Sequence, residues 1–487
     1  MIKYFILLLC ALLCAACQRE SDHQKINFAP INFVIAQAPL NLDPRYATDA
    51  ASERVNRLIY QPLFDFDAAS NPTPILALGV NLSADESALE YCISLKTARA
   101  AFHNRVPLNA EDVVATYESI LKLKDSPHTA EFENIKSIKA LDDDTVLFSL
   151  KQADTHFAAK LIIGILPKKL IEQGYDFSHN PIGSGSLKFV FWQNKLTLER
   201  IKDGQIITLQ EVKDPTVRVL KLLRGEADLL QGDLPPELVK YLQNQPEISV
   251  STSVGANFSY LGLNMQDPLL RNLKVRQAIA HGIDRQAIID KVMVQNSRIA
   301  GAILPPEHYA GNRNLAPYDY SPALSKKLLL EAGVKLPLKL VYKTSTDAQR
   351  VRFATILQAQ LAPAGIELEI RSLDWGTFFE DVKQGNFQLF GLTWVGIKTP
   401  EIYAKAFGSN NTPPNGFNRG RYADAELNNL LKNEDWQAAT ARIHAELPYI
   451  PLWYEGQFAA MRKDIQHYSA KPDGNWDDLA TITDSAN

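Results

Sequence analysis

Apolar residues recur at helical spacing in "ASERVNRLIYQPLF", where Val55, Leu58, Ile59 and Leu63 share one face and Ser52 is available as a cap. "LNAEDVVATYESILKL" repeats the pattern through Val113, Tyr117, Ile120 and Leu121, entered from Asn109. Elsewhere the period shortens to two. "TVLFSL", "KLTLERI" and "LKLVYK" read as strands, and "IELEIRSL" alternates Ile366, Leu368 and Ile370 with charges, the mark of a half-buried strand. Asp214-Pro215 opens a helix that Gly225 stops, before a short strand "ADLL". Ser321-Pro322 opens another, ending at Gly333, and a third runs from about Asp347 to Leu361, closed by Pro363 and Gly365.

The order strand, helix, strand appears in residues 190–250 and again in 338–394. It is the βαβ signature of an α/β fold, a sheet with helices on its faces. Two such regions, each with its own sheet, predict two lobes. Ligands of these sheets bind beyond the carboxyl ends of the strands, and domain interfaces favour pockets. The predicted strand Phe387–Thr393 delivers Trp394 to such an end, between Gly391 and Gly396, with Lys398 and Pro400 following. Trp394 is therefore expected to wall a cleft, with Lys398 at its lip.

The 487 residues are 46% hydrophobic and 22% charged, enough apolar material for more than one core. A formal net charge of −4 argues against a nucleic-acid binder. The N-terminus, "MIKYFILLLCALLCAACQRESD", has one basic residue, an apolar run too short to span a bilayer, and the small pair Ala15-Ala16 before Cys17. It resembles a bacterial lipoprotein signal, which implies removal of residues 1–16 and lipidation of Cys17, an anchor to the cell envelope. Cys14 stands where such signals usually carry Leu. Removing Lys3 and no acid takes the charge from −4 to −5, and leaves Cys92 without a disulfide partner if Cys17 is acylated. Gln18 after the cysteine leaves inner and outer membrane both open.

No constellation here demands a reaction. "PIGSGSLKF" places Gly183-Ser184-Gly185-Ser186 out of register for a nucleophile elbow and lacks the end of a phosphate loop. The nine histidines show no pair at metal-ligand spacing, so neither metal nor cofactor is expected. The aromatics Trp375, Trp394, Phe258, Tyr260 and Tyr422 fall at predicted strand ends or in loops, which suits a lined cleft as well as lobe packing.

The succession of segments resembles the extracellular solute-binding proteins of peptide-type ABC transporters, family 5. "LDPRYATDAASERVNRLIYQPLFDFD", "FHNRVPLNAEDVVATYESIL", "GILPKKL", "PIGSGSLKFVFW", "LGLNMQDPLLRNLKVRQAIAHGIDRQAII", "YSPALSKKLLLEAG" and "NRGRYADAELNNLL" follow in the family's order. Arg105 stands where the family usually has Gly, and Ser186 where it has Pro.

The resemblance implies a two-lobe periplasmic-binding-protein fold (type II, cluster C) with an inserted subdomain, closing on ligand by hinge motion. Lobe I would comprise residues 17–60, 181–254 and 456–487, the inserted subdomain 61–180, and lobe II 255–455. It implies a monomer, periplasmic and lipid-anchored, that binds a peptide or peptide-like solute and hands it to ABC permease and ATPase subunits. It implies no enzyme. A ligand-sensing or chaperone-like lipoprotein on the same fold is the alternative, with an envelope peptide hydrolase a third.

Carried over by position, the ligand-contacting residues would be Thr48, Asp49, Ala50, Phe258, Tyr260, Trp375, Trp394, Ile397, Lys398, Asn418 and Tyr422. Peptide-binding members place an aspartate three residues after the second tryptophan, to pair with the ligand's ammonium. Ile397 occupies that place here and Lys398 follows. The sequence thus predicts that Asp49 or Glu401 substitutes, or that the ligand presents a neutral or anionic group.

Overall fold

The computed structural model describes residues 29–47, 49–67, 71–82, 89–123, 126–413 and 416–485. Cys17 and Thr48 lie outside the described residues.

Local signals place most helices. Asp214 accepts a hydrogen bond from Val217 N at the start of Pro215–Leu223. Ser321 does the same for Pro322–Glu331, and Asp347 for Ala348–Leu361. Asn109 and Asp112 form a reciprocal capping box on Ala110–Lys122. One cap differs from expectation. Asp49, not Ser52, caps Ala50–Ile59, because a cap needs extended backbone just before the first turn, and Ser52 already lies inside it. The buried Ser52 hydroxyl instead accepts from Leu40 N and Asn41 N and donates to Asp49.

The predicted βαβ units form, but the two sheets are continuous. Among the described residues the principal sheet has eleven strands. Its ladder runs Ile366–Leu373, Leu338–Ser345, Leu389–Trp394, Ile248–Leu263, Tyr449–Arg462, Leu229–Gln231, Ile31–Ile35, Ile206–Glu211, Leu196–Arg200, Leu187–Trp192, and the eleventh strand, Arg298–Ile299, pairs off this path with Tyr449–Arg462. Leu338–Ser345 is parallel to both Ile366–Leu373 and Leu389–Trp394. At the other end Ile31–Ile35 is parallel to both Ile206–Glu211 and Leu229–Gln231. These parallel ends are the two lobes. The expectation of separate sheets fails because Ile248–Leu263 and Tyr449–Arg462 are long enough to belong to both, pairing antiparallel along their length.

In the first lobe successive side chains alternate between two cores. Phe33, Leu229 and Met461 enter the core shared with Leu198 and Trp476. Val34, Leu230 and Ala460 enter the core on the opposite face, under Val219 and Leu242. The second lobe has one large core, which includes Tyr260, Phe390, Tyr403 and Trp453. A further core, Leu63 to Ile165, fills the space between a four-stranded antiparallel sheet and the helix Ala110–Lys122.

Where the two long strands cross between lobes, their register shifts between Ser253 and Asn257. A Cβ on Gly255 would lie 1.5 Å from the Glu455 carbonyl oxygen, and one on Gly456 would lie 2.2 Å from that of Gln295. Only glycine lets three backbone segments approach so closely.

Candidate functional site

The second lobe presents an aromatic wall at the carboxyl end of Leu389–Trp394. Antiparallel pairing sets Phe258 beside Trp394 and Tyr260 beside Leu392, so these rings share a face. Tyr260 stacks on Tyr449 at 4.2 Å between centroids and on Trp394 at 6.3 Å. The loop after Pro413 brings Phe417 against Trp394 at 5.7 Å and lays the Arg419 guanidinium over the indole at 4.6 Å. Phe379 and Phe417 flank that guanidinium at 5.3 and 5.6 Å. Trp375 stacks on Phe379 at 5.4 Å and extends the wall outward.

Asn418 holds this loop. Its side-chain amide donates to Gly408 O and Tyr422 O and accepts from Tyr422 N, so its polar capacity serves the backbone. Tyr422 is buried and donates to Asp424 Oδ2 at 2.7 Å; burial, and then the Asp424 charge, push its hydroxyl far above the ordinary range.

At the rim, charges from different units meet. Lys398 reaches Asp473 of the C-terminal tail at 3.1 Å and Asp65 at 3.9 Å. Arg57 joins Asp65 to Asp477, at 2.5 and 3.1 Å. Burial opposes ionisation of Asp473 and Asp65, but hydrogen bonds and neighbouring cations outweigh it and hold both carboxyls below the usual range. Three more pairs join the second lobe to its neighbours: Arg352–Glu237 at 2.6 Å, His156–Glu434 at 2.9 Å and Lys405–Glu131 at 3.6 Å.

Two acidic groups stand apart. Glu53 is exposed at its own atoms and makes no ion pair among the described residues. Yet burial raises its carboxyl, with His128 and Arg57 opposing and Asp49 and Glu131 adding. Glu131, which adds to the shift, pairs with Lys405 at 3.6 Å. Glu401 has its Oε2 buried without a partner, near His308 and Tyr309.

The sequence-predicted residues thus separate into groups. Trp394, Tyr260, Phe258 and, at the edge, Trp375 share the aromatic wall. Phe258 and Tyr260 are wholly buried behind it, whereas Trp375 is 53% exposed and begins the helix Trp375–Gln384 rather than ending a strand. Asn418 and Tyr422 scaffold the adjoining loop. Ile397 packs half-buried against the second-lobe core. Asp49 and Ala50 start the helix that carries Glu53, and Ser52 N and Oγ both bind the Asp49 carboxylate. Lys398 is not a bare cation at the lip: its charge is spent on Asp473 and Asp65. Sequence reasoning missed Arg419, Phe417, Phe379 and Glu53. The one signal for Arg419 was its place beside Phe417 and Gly420 in "FNRGRY".

Two lobes linked by two crossing strands, with an aromatic wall between them and ion pairs around its rim, define a solute-binding protein of the two-lobe type. The chain belongs to the bacterial extracellular solute-binding proteins, family 5, whose model matches residues 71–414. It is 25% identical to the oligopeptide-binding protein AppA of Bacillus subtilis, over 89% of this chain and 88% of that protein. It is 28% identical to the glutathione-binding protein GsiB of Salmonella choleraesuis, over 89% and 90%. The periplasmic binding protein DppA of Helicobacter pylori, solved with the peptide STSA, superposes with a TM-score of 0.80 at 24% identity, covering 94% of this chain and 98% of that one. Members of this family bind solutes extracellularly. Among the described residues no helix is long and apolar enough to cross a membrane, and no group of three or more His, Cys, Asp and Glu could hold a metal.

Proposed function

We propose that this chain is the substrate-binding component of an ABC importer, capturing a peptide or peptide-like solute between its lobes and delivering it to a permease. One observation carries the reading: the aromatic wall offers donors that the protein leaves without acceptors, while the charges at the rim are paired from one unit to another. Such a cleft binds by stacking and hydrogen bonding, and its rim pairs favour closure about the strands crossing at Gly255 and Gly456. Binding without catalysis is the reading, as in the relatives named as binding proteins. The relatives named for oligopeptides and glutathione, and the relative solved with a peptide, support the solute class. The N-terminal signal supports lipidation at Cys17 and a place on the cell envelope.

The position that carries the family's ammonium-binding aspartate is apolar here, but Lys398 does not repel an ammonium as the sequence suggests, since Asp473 and Asp65 neutralise it. Glu53, exposed and outside any ion pair among the described residues, is an acid able to receive an ammonium. Calorimetry with di- to pentapeptides tests the reading. Binding of free peptides, weakened by N-acetylation in the wild type but indifferent to it in Glu53→Gln, is the expected outcome. Failure of every peptide to bind would overturn the peptide assignment.

A further inference from the structure

Arg419 is a buried cation of the aromatic wall whose surroundings supply no counter-charge. The residue is only 9% exposed and is enclosed by three aromatic rings, Trp394, Phe379 and Phe417. It makes no ion pair with any described carboxylate. Its hydrogen bonding within the protein consists of Nη1–H donating to the Tyr260 hydroxyl at 3.1 Å. A guanidinium has five N–H groups, and an uncompensated buried charge costs several kcal/mol. By contrast, the comparably buried Arg276 spends its donors on the carbonyls of Leu270, Arg271 and Glu446 and pairs with the Glu446 carboxylate at 3.6 Å, and Arg285 donates to the carbonyls of Ala280, Ile283, Tyr318 and Pro451, although its Nη2 is left enclosed without a partner.

The remaining donors of Arg419 are not sealed. Neither Nε nor Nη2 is among the enclosed polar atoms that lack partners. Both therefore keep contact with solvent. The Nε–H and Nη2–H edge is the one that grips a carboxylate through two parallel hydrogen bonds. In the ring under the guanidinium, the Trp394 indole Nε1–H is also without an acceptor. Of these two donor groups that lack acceptors, the charged one is open to a solute.

We propose that Arg419, backed by Trp394, Phe379 and Phe417, is an anion subsite that takes a carboxylate of the bound solute bidentately. The aromatic cage fixes the plane of the guanidinium and excludes water from behind it, which strengthens both hydrogen bonds. The subsite deepens the proposed solute reading and rests on it for the position of the cleft.

The test separates the two claims. Wild-type protein and Arg419→Gln are offered a tri- to pentapeptide library and the same library amidated at the C-terminus, with retained species identified by native mass spectrometry. A second titration uses N-acetylphenylalanine and its amide, followed by tryptophan fluorescence. A circular dichroism melt establishes that the variant folds, with Arg419→Lys, which keeps the charge but not the fork, as an intermediate case. The expected result is a preference of about tenfold or more for the free acid in wild type, reduced in Arg419→Lys and abolished in Arg419→Gln. Equal retention of acids and amides by the wild type, with either probe, overturns the anion subsite while leaving peptide binding intact. Retention of N-acetylphenylalanine but of no peptide supports the subsite and overturns the peptide reading.

Discussion

Two cations of the second lobe, Lys398 and Arg419, are treated in opposite ways. Lys398 is met at the rim by Asp473 and Asp65, carboxylates supplied from outside the second lobe. Arg419 is met by rings and by one phenol. A cation paired across a boundary favours the two sides coming together. A cation left unpaired in a desolvated cage gains most when a ligand brings the missing charge. The lysine belongs to closure and the arginine to recognition, although the sequence drew attention only to the lysine.

The largest effect on stability should come from Lys398→Met. It strands the partly buried Asp473 and takes the weaker of two cations from Asp65, which Arg57 still holds, and a loss of about 2 kcal/mol in chemical denaturation at neutral pH is expected. The variant should also appear more open in small-angle scattering. Arg419→Gln should behave differently. Without ligand it removes a charge that the protein does not compensate, so its stability should stay within about 0.5 kcal/mol of wild type. A large loss there would mean that the guanidinium is structural.

Acid should affect the rim selectively. Asp473 and Asp65 bind protons less tightly when folded than when unfolded, so their contribution is complete above the ordinary value of 3.8 and is lost as pH falls through the lower folded values. Lys398→Met should therefore lose part of its deficit relative to wild type in melts below pH 3.8. The smallest effect concerns Glu53, whose carboxyl is raised by burial. The cost of ionising it is present above its raised value and absent below the ordinary 4.5. Glu53→Gln should melt slightly higher than wild type at neutral pH and match it below pH 4.5.

Much of the fold was legible because its signals are local. Asp214-Pro215, Ser321-Pro322 and Asp347 cap helices as read, and the alternation of "IELEIRSL" becomes the strand Ile366–Leu373. The substitution at Arg105 was legible in kind: its φ of 69° is left-handed, the conformation that favours the glycine usual in the family. The continuity of the sheet was not legible, because strand length says nothing about which partners a strand meets along its course. Nor was the division of labour between the two cations. Whether a charge is paired depends on residues distant in sequence, and the lack of a partner leaves no local trace. Trp394 could be read because a tryptophan at a strand end is conspicuous alone; Arg419 becomes conspicuous only once three rings are seen around it.

The most direct test of this account is the solute that co-purifies with wild type and Arg419→Gln, each expressed in the native host and isolated under native conditions, identified by mass spectrometry. A peptide or peptide-like solute bearing a free carboxylate on the wild type, and missing or strongly depleted on the variant, is the result predicted. A solute without a carboxylate, carried equally by both proteins, would contradict it.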